Sequence, residues 1–392
     1  MSDRELLIDV SRLIWRLWSD RLPTGVDRVC LAYVEHFGGR GLAVMQRGGR
    51  RYILNERHSD QLFSMLQEQP TRFRRQFVGL LARALAAARE RPRRNGFVYL
   101  NVGHIGLDEG SLLRWIERSR VRPVYLVHDV IPLRYPEYCR PGELQKHAIR
   151  MEQVLRSASG LIANSQATLD DLGRFAETVG LPMPPAIAAW IAGSPLCAQK
   201  VQPLAIDRPY FVTVGTIEGR KNHALLLHIW QRLVARYGDA APLLFIVGQR
   251  GWEASHALAI LDRASDLKDH IVELGRSSDE EVASTIAGAR ALLMPSFAEG
   301  FGLPVAEALQ LGTPVIASDL PVFREFAGDI PSYVDVLDGL GWMSTIMSFT
   351  GESLERERQI QAMSSYRAPT WETHFEVVDE WLKTIEEDRH RA

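Results

Sequence analysis

Short apolar runs recur along the 392-residue chain, and most are followed by a longer stretch of helical period. Leu6–Val10, Phe97–Asn101, Val124–His128, Leu161–Asn164 and Ala186–Ile191 form one series. Phe211–Gly215, Leu243–Gly248, Ile271–Leu274, Ala291–Pro295 and Pro314–Ala317 form a second. Such runs lack polar alternation because the strands of a parallel sheet are covered by helices on both faces. Amphipathic stretches such as Ala224–Tyr237 and Asp279–Ala289 supply those helices. The repeated order of strand then helix predicts doubly wound α/β sheets. At about 100–200 residues per domain, the length calls for two of them.

The break between domains is expected near Ser194–Pro209, where SPLCAQKVQPLAIDRP has three prolines and no clear period. Domain spans of 1–195 and 205–366 follow, with a final segment, 367–392, holding one more helix. Trp371, Phe375, Val378, Trp381, Leu382 and Ile385 give that helix an apolar stripe, expected to pack back on the first domain.

A formal net charge of −2 gives no global reason to expect nucleic acid. Cys30, Cys139 and Cys197 are widely spaced and form no C-x-x-C pair, so zinc and a disulfide framework are not expected and a reducing cytoplasm fits. The N-terminus MSDRELLIDVSRLIW reads as a first strand rather than a signal peptide. Proline and glycine break the longest uncharged apolar stretch, Gly180–Leu196, so any membrane contact is expected to be peripheral.

The strongest local signal is PSFAEGFGLPVAEA at Pro295–Ala308. A buried strand ends at Pro295, a glycine-rich loop follows, and a helix opens at about Leu303–Pro304, where proline fits because no amide is needed there. Gly300 and Gly302 leave no side chain between the loop amides and a ligand, and the helix start offers free N–H groups to a diphosphate. Glu299 in the loop and Glu307 one turn into the helix are carboxylates able to accept hydrogen bonds from vicinal sugar hydroxyls. A capped helix with two solvated acids would explain either glutamate alone, but not the whole run.

EGFGLPVAE resembles the signature of retaining glycosyltransferase family 4 (group 1 glycosyltransferases): two glutamates separated by seven residues, on the GT-B fold. VGTIEGRKN at Val214–Asn222, ELGRSSDEEV at Glu273–Val282 and LGTPVIASDLPVFREFAGD at Leu311–Asp329 extend the resemblance through the second half. TGVDRV at Thr24–Val29, VHDVIPLRYPEY at Val127–Tyr138 and ANSQATLDDL at Ala163–Leu172 carry it through the first. The resemblance implies two facing Rossmann-like domains with a C-terminal helix crossing back to the first. The nucleotide sugar would be held mainly by the second domain and the acceptor mainly by the first.

By the same resemblance Glu307 would bind the nucleotide ribose and Glu299 would lie at the donor sugar, with the Phe301, Gly302 and Leu303 amides near sugar and diphosphate. Lys221 matches the diphosphate-binding lysine, and its point charge suits an oxyanion that grows as the leaving group departs. His128, at the end of VYLVHD, matches the histidine that faces the donor sugar, and Thr24–Gly25 match a small-residue loop that lets phosphates approach. A lone histidine beside a strand is more often a satisfied structural group. The end of a strand in an open α/β sheet is where ligands bind, however, which favours function here. Asp129 either orients it or caps the next turn, and Asn164, Ser165 and Glu325 read as turn or cap residues. Many members carry an arginine five residues before the lysine, where this chain has Thr216; Arg220 is then either the second positive charge or a solvated residue at a helix start.

The chain has no Asp-x-Asp pair and no His/Cys cluster of ligand spacing, so no metal and no cofactor beyond the donor are expected. It also lacks G-x-G-x-x-G after the first strand and G-x-x-x-x-G-K-[ST], against dehydrogenase and nucleotide-hydrolase readings. Thr71–Asn95 carries eight arginines against the single acid Glu90, with Phe73, Phe77, Leu80, Leu81, Ala84 and Ala88 at helical spacing. It reads as a basic amphipathic helix suited to an anionic membrane surface, or as an ordinary domain helix with solvated arginines.

The expectation is a retaining, metal-independent hexosyltransferase of the mannosyl- and rhamnosyltransferase-like branch, with GDP-mannose the favoured donor. The acceptor would be a glycan or polyprenyl-linked hydroxyl in bacterial surface polysaccharide assembly. The rivals are a sugar-nucleotide epimerase or hydrolase and a non-catalytic binding scaffold.

Overall fold

The computed structural model describes residues 4–20, 24–69, 72–93, 95–194 and 201–387. They form two compact units. The first gathers Met1–Val130, Gln145–Ile191 and Trp371–Ala392; the second gathers Ile131–Leu144 and Ala192–Thr370. Ile131–Leu144, inside the 1–195 span, thus belongs with the second unit.

In the first unit, β1 (Leu6–Asp9), β2 (Gly41–Arg47), β3 (Arg50–Ile53), β4 (Val98–Asn101), β5 (Arg122–Val127), β6 (Gly160–Ala163) and β7 (Ala186–Ala188) build one sheet in the order β3-β2-β1-β4-β5-β6-β7. Every residue of β1, β4 and β6 is buried, which is why these strands read as continuous apolar runs. The pairings are parallel except between β2 and β3, a hairpin that the apolar runs did not reveal. Its turn is Gly48-Gly49, both at positive φ (57° and 74°), the conformation that matches strand twist in a two-residue loop. Arg51 of β3 is buried and donates to Gly49 O (2.9 Å) and Ser111 Oγ (2.7 Å), which holds the turn against the helix Gly110–Ser119.

The helix expected across 71–95 is shorter: it runs Phe73–Ala87, and Arg89 then pairs with Ile53 as an isolated antiparallel bridge. Thr71 and Arg94 lie outside the described residues. Phe73, Phe77, Leu80 and Ala84 are buried, whereas Leu81 is half-buried and Arg74, Arg75 and Arg83 face solvent. Trp371–Glu387 is a single helix packed within the first unit. His374 Nε2 meets Tyr33 Oη at 2.9 Å, Phe375 stacks on His36 at 4.0 Å, and Trp381 lies so close to Gly160 that a Cβ there would stand 2.4 Å from its ring.

In the second unit, β8 (Tyr210–Val214), β9 (Leu243–Val247), β10 (Ile271–Glu273), β11 (Leu292–Met294), β12 (Val315–Ser318) and β13 (Ser332–Val334) form a parallel sheet in the order β10-β9-β8-β11-β12-β13. β13, short and only half-buried, has too few apolar residues to stand out as a run. Phe211, Leu226, Trp230, Leu244 and Trp342 anchor the core, and the Trp230 indole finds Pro242 O at 2.9 Å. Both sheets are doubly wound, as the alternating pattern requires. Each reverses strand order once, between β1 and β4 in the first unit and between β8 and β11 in the second. Open α/β sheets bind ligands at such reversals, beyond the carboxyl ends of the strands.

Candidate donor site of the second unit

The loops leaving β8 and β11 meet at the reversal of the second sheet. Phe297 N donates to Arg220 O at 2.8 Å, which brings the RKN turn beside the EGFG loop. Lys221 Nζ donates to Glu299 Oε1 at 2.5 Å, and Arg220 Nη1 donates to Glu299 Oε2 and to Ala298 O, at 2.7 and 2.9 Å. Ser296 Oγ is a third donor to the Glu299 carboxylate, reaching Oε1 at 2.7 Å. Burial by itself would raise the Glu299 carboxyl, but Arg220, Lys221 and the hydroxyl more than offset it and hold the group at about 2. Glu299 is therefore ionised and tied down, not a solvated acid.

Arg220 is equally committed. Its Nε lies 2.6 Å from Glu218 Oε1, so it bridges two carboxylates and is no free helix-start residue. Glu218, which the sequence reading passed over, is buried; desolvation raises its carboxyl above the usual range despite Arg220 and Lys221. It stands three residues before Lys221, inside the quoted motif, where a polar residue next to two cations was the available clue. Thr216 is half-buried in the turn after β8, with its methyl beside Gly251.

The helix Leu303–Gln310 opens as expected, with Pro304 in its first turn and Gly302 before it at φ 99°. A Cβ on Gly302 would stand 2.3 Å from the Phe323 ring, so both space and backbone conformation require glycine. Phe301 turns its side chain into the core and stacks on Phe326 at 4.7 Å, which leaves the Phe301–Leu303 backbone as the part available to a ligand. Glu307 is buried on this helix and accepts from Ser194 N at 2.8 Å, a contact across 113 residues that no local motif signals.

His128 follows β5 in the first unit and is buried. Nε2 donates to Val102 O at 2.8 Å, which makes Nδ1 the acceptor nitrogen of a neutral ring. Burial pulls its pKa down to about 4, against the smaller upward pull of that hydrogen bond and of Asp129. Asn164 Nδ2 donates to His128 O at 2.7 Å and so pins the end of β5. Ser165 caps the helix Gln166–Thr178 by accepting from Thr168 N. His104, absent from the sequence reading, lies 5.0 Å from His128 ring to ring. Gly25 begins the helix Gly25–Phe37; Thr24 N and Oγ1 both donate to Asp27, whose carboxylate also meets Arg12 and Arg16. Glu218, Arg220, Lys221, Glu299 and Glu307 all lie in the second unit, whereas His128 and Gly25 lie in the first.

Residues 198–330 match the family model described as Glycosyl transferases group 1. The serotype-specific mannosyltransferase WbdA of Escherichia coli is 32% identical over 233 residues, which is 53% of this chain and 28% of WbdA. The O-antigen chain mannosyltransferase B of Escherichia coli is 29% identical over 223 residues, 55% of this chain and 58% of that protein. The chain thus spans between about a quarter and somewhat over half of these curated relatives. Among solved structures, Anabaena HepE in complex with UDP-glucose superposes with a TM-score of 0.63 at 15% identity, covering 97% of this chain and 98% of HepE. That likeness establishes the shared GT-B fold. The second unit of this chain carries a domain of the glycosyl transferases group 1 family.

Proposed function

We propose that the chain is a retaining glycosyltransferase that moves a hexose from a nucleoside diphosphate sugar to a hydroxyl of a glycan or lipid-linked acceptor, without a metal ion. The observation that carries this reading is the cluster at the β8–β11 reversal. There two cations, Lys221 and Arg220, are held beside Glu299 and next to a helix start that bears Glu307. The cations and loop amides would take the diphosphate, and Glu307 the ribose. In the transfer the bond from the anomeric carbon to the phosphate oxygen breaks and one to the acceptor oxygen forms. The acceptor proton passes to the leaving diphosphate. Glu299, held at about 2, is a poor proton donor at neutral pH, which disfavours an epimerase or hydrolase using both glutamates as acid and base.

We assign acceptor recognition to the first unit. GDP-mannose is the favoured donor because both of these curated relatives are mannosyltransferases, and surface polysaccharide is the favoured destination because one of them is named for the O-antigen. The test is calorimetry with GDP, UDP, dTDP and ADP, with and without magnesium, on wild type and Glu307→Ala. One nucleotide should bind without magnesium and lose about ten- to hundredfold in affinity in the variant, the range of one or two hydrogen bonds to a charged group. Binding of none of the four would remove the donor site and bring the scaffold reading forward. Strict magnesium dependence would sink the metal-free mechanism.

A further inference from the structure

We propose that Gly193 and Ser194, where the chain enters the second unit, are positioning residues for Glu307 and so set recognition of the donor's ribose. The inference rests on the reading of Glu307 as the ribose ligand and adds residues which that reading does not include.

The helix Leu303–Gln310 is held by its buried neighbours Val305, Ala306, Ala308 and Leu309, so the backbone of Glu307 is fixed and only its side chain can move. Two features of the 193–194 segment remove that freedom. Gly193 lies against the side chain: a Cβ there would stand 2.7 Å from Glu307 Cγ and 3.3 Å from Oε1. Carbon atoms do not pack at 2.7 Å, so any other residue at 193 displaces the carboxylate. The next residue, Ser194, donates its backbone N–H to Oε1 at 2.8 Å within a buried setting. Its hydroxyl lies 3.5 Å from Asp279 Oδ2, at the start of the helix Asp279–Ala287, which ties the segment to the body of the unit.

A charge-assisted hydrogen bond from a fixed amide sets the rotation of the carboxylate about its last bond. A carboxylate has about four acceptor directions and can hold an amide and a vicinal diol together, provided its plane is correct for both. A purely structural contact would bury Glu307 as well. It would not make the choice between nucleotides with and without ribose hydroxyls depend on residue 193.

The experiment compares GDP with 2′,3′-dideoxy-GDP by calorimetry on wild type, Glu307→Ala and Gly193→Ala. Wild type should prefer GDP by about tenfold or more, the effect of a hydrogen-bonded diol on a charged acceptor. Glu307→Ala should abolish the preference. Gly193→Ala should reduce it to less than about threefold while leaving affinity for the dideoxy nucleotide at the wild-type value. If Gly193→Ala keeps the full preference, the proposal is wrong. An equal loss of both nucleotides, as general misfolding produces, also overturns it. If wild type shows no preference, or Glu307→Ala retains one, the ribose reading itself fails and this inference fails with it.

Discussion

At the scale of single residues, the candidate donor site is a closed set of charges. Glu218 and Glu299 face Arg220 and Lys221, so the cluster is neutral with its cations already occupied. An incoming diphosphate must compete with Glu299 for both. Removing Glu299 leaves the buried Lys221 and the half-buried Arg220 with one carboxylate, and uncompensated buried charge is costly. Glu299→Ala should therefore melt lower than wild type when unliganded, and GDP should restore its melting temperature by more than it raises that of wild type. Turnover should fall by about a hundredfold or more, the scale of lost electrostatic organisation at a reacting centre. Equal GDP-induced shifts in the two proteins, read by thermal melting, would contradict the competition. The two glutamates, the lysine and the histidine could be singled out as candidates because each sits in a distinctive run of the sequence. Ser296 and Ser194 could not be. Ser194 acts on Glu307 across 113 residues, where no local motif points, and Ser296 sits three residues before Glu299 in the same loop but serine carries no signal of its own.

At the scale of elements, the strands covered on both faces were the legible ones, since burial on two sides leaves a continuous apolar run. The β2–β3 hairpin escaped because its strands carry Gln46, Arg47, Arg50 and Arg51 among the apolar residues. The Gly48-Gly49 turn between them was the available clue. The basic helix shows a different limit. Its periodicity is compatible with lipid or with a protein core, and the structure spends the apolar face on the first unit. No helix among the described residues is long and apolar enough to cross a membrane. What Phe73–Ala87 presents outward is Arg74, Arg75 and Arg83 with Val78 and Leu85, so adhesion to lipid would be mainly electrostatic. Binding to phosphatidylserine vesicles should weaken steeply with salt, and Arg75→Glu with Arg83→Glu should cost about 1 kcal/mol or more per site. Salt-independent sedimentation with neutral vesicles would show that an apolar insertion, not this charge pattern, is responsible.

At the scale of the whole molecule, the two units share one acid sensitivity, because each buries histidine. Burial pulls His128 and His374 of the first unit down to about 4 and His223 of the second to about 3, from an ordinary value of 6.5. Between those limits the unfolded chain takes up protons that the folded chain refuses. Stability is then full above about pH 6.5 and falls as the pH drops toward 4. Glu299 adds to the loss at the acid end of that window, since its carboxyl takes up a proton near 4.5 in the unfolded chain but stays ionised in the fold until the pH nears about 2. His374 is the best single test: it bridges Tyr33 Oη and Trp190 O, far in sequence from the donor motifs. A depression of this size corresponds to roughly 3 kcal/mol at most, given about 1.4 kcal/mol per pH unit. Urea unfolding of wild type should therefore show a falling midpoint from pH 7 to pH 4.5. His374→Gln should start lower at pH 7, having lost a bridging ring, and decline less steeply because it has one fewer group to protonate. Parallel declines in the two proteins would mean that His374 is not among the groups that set acid stability.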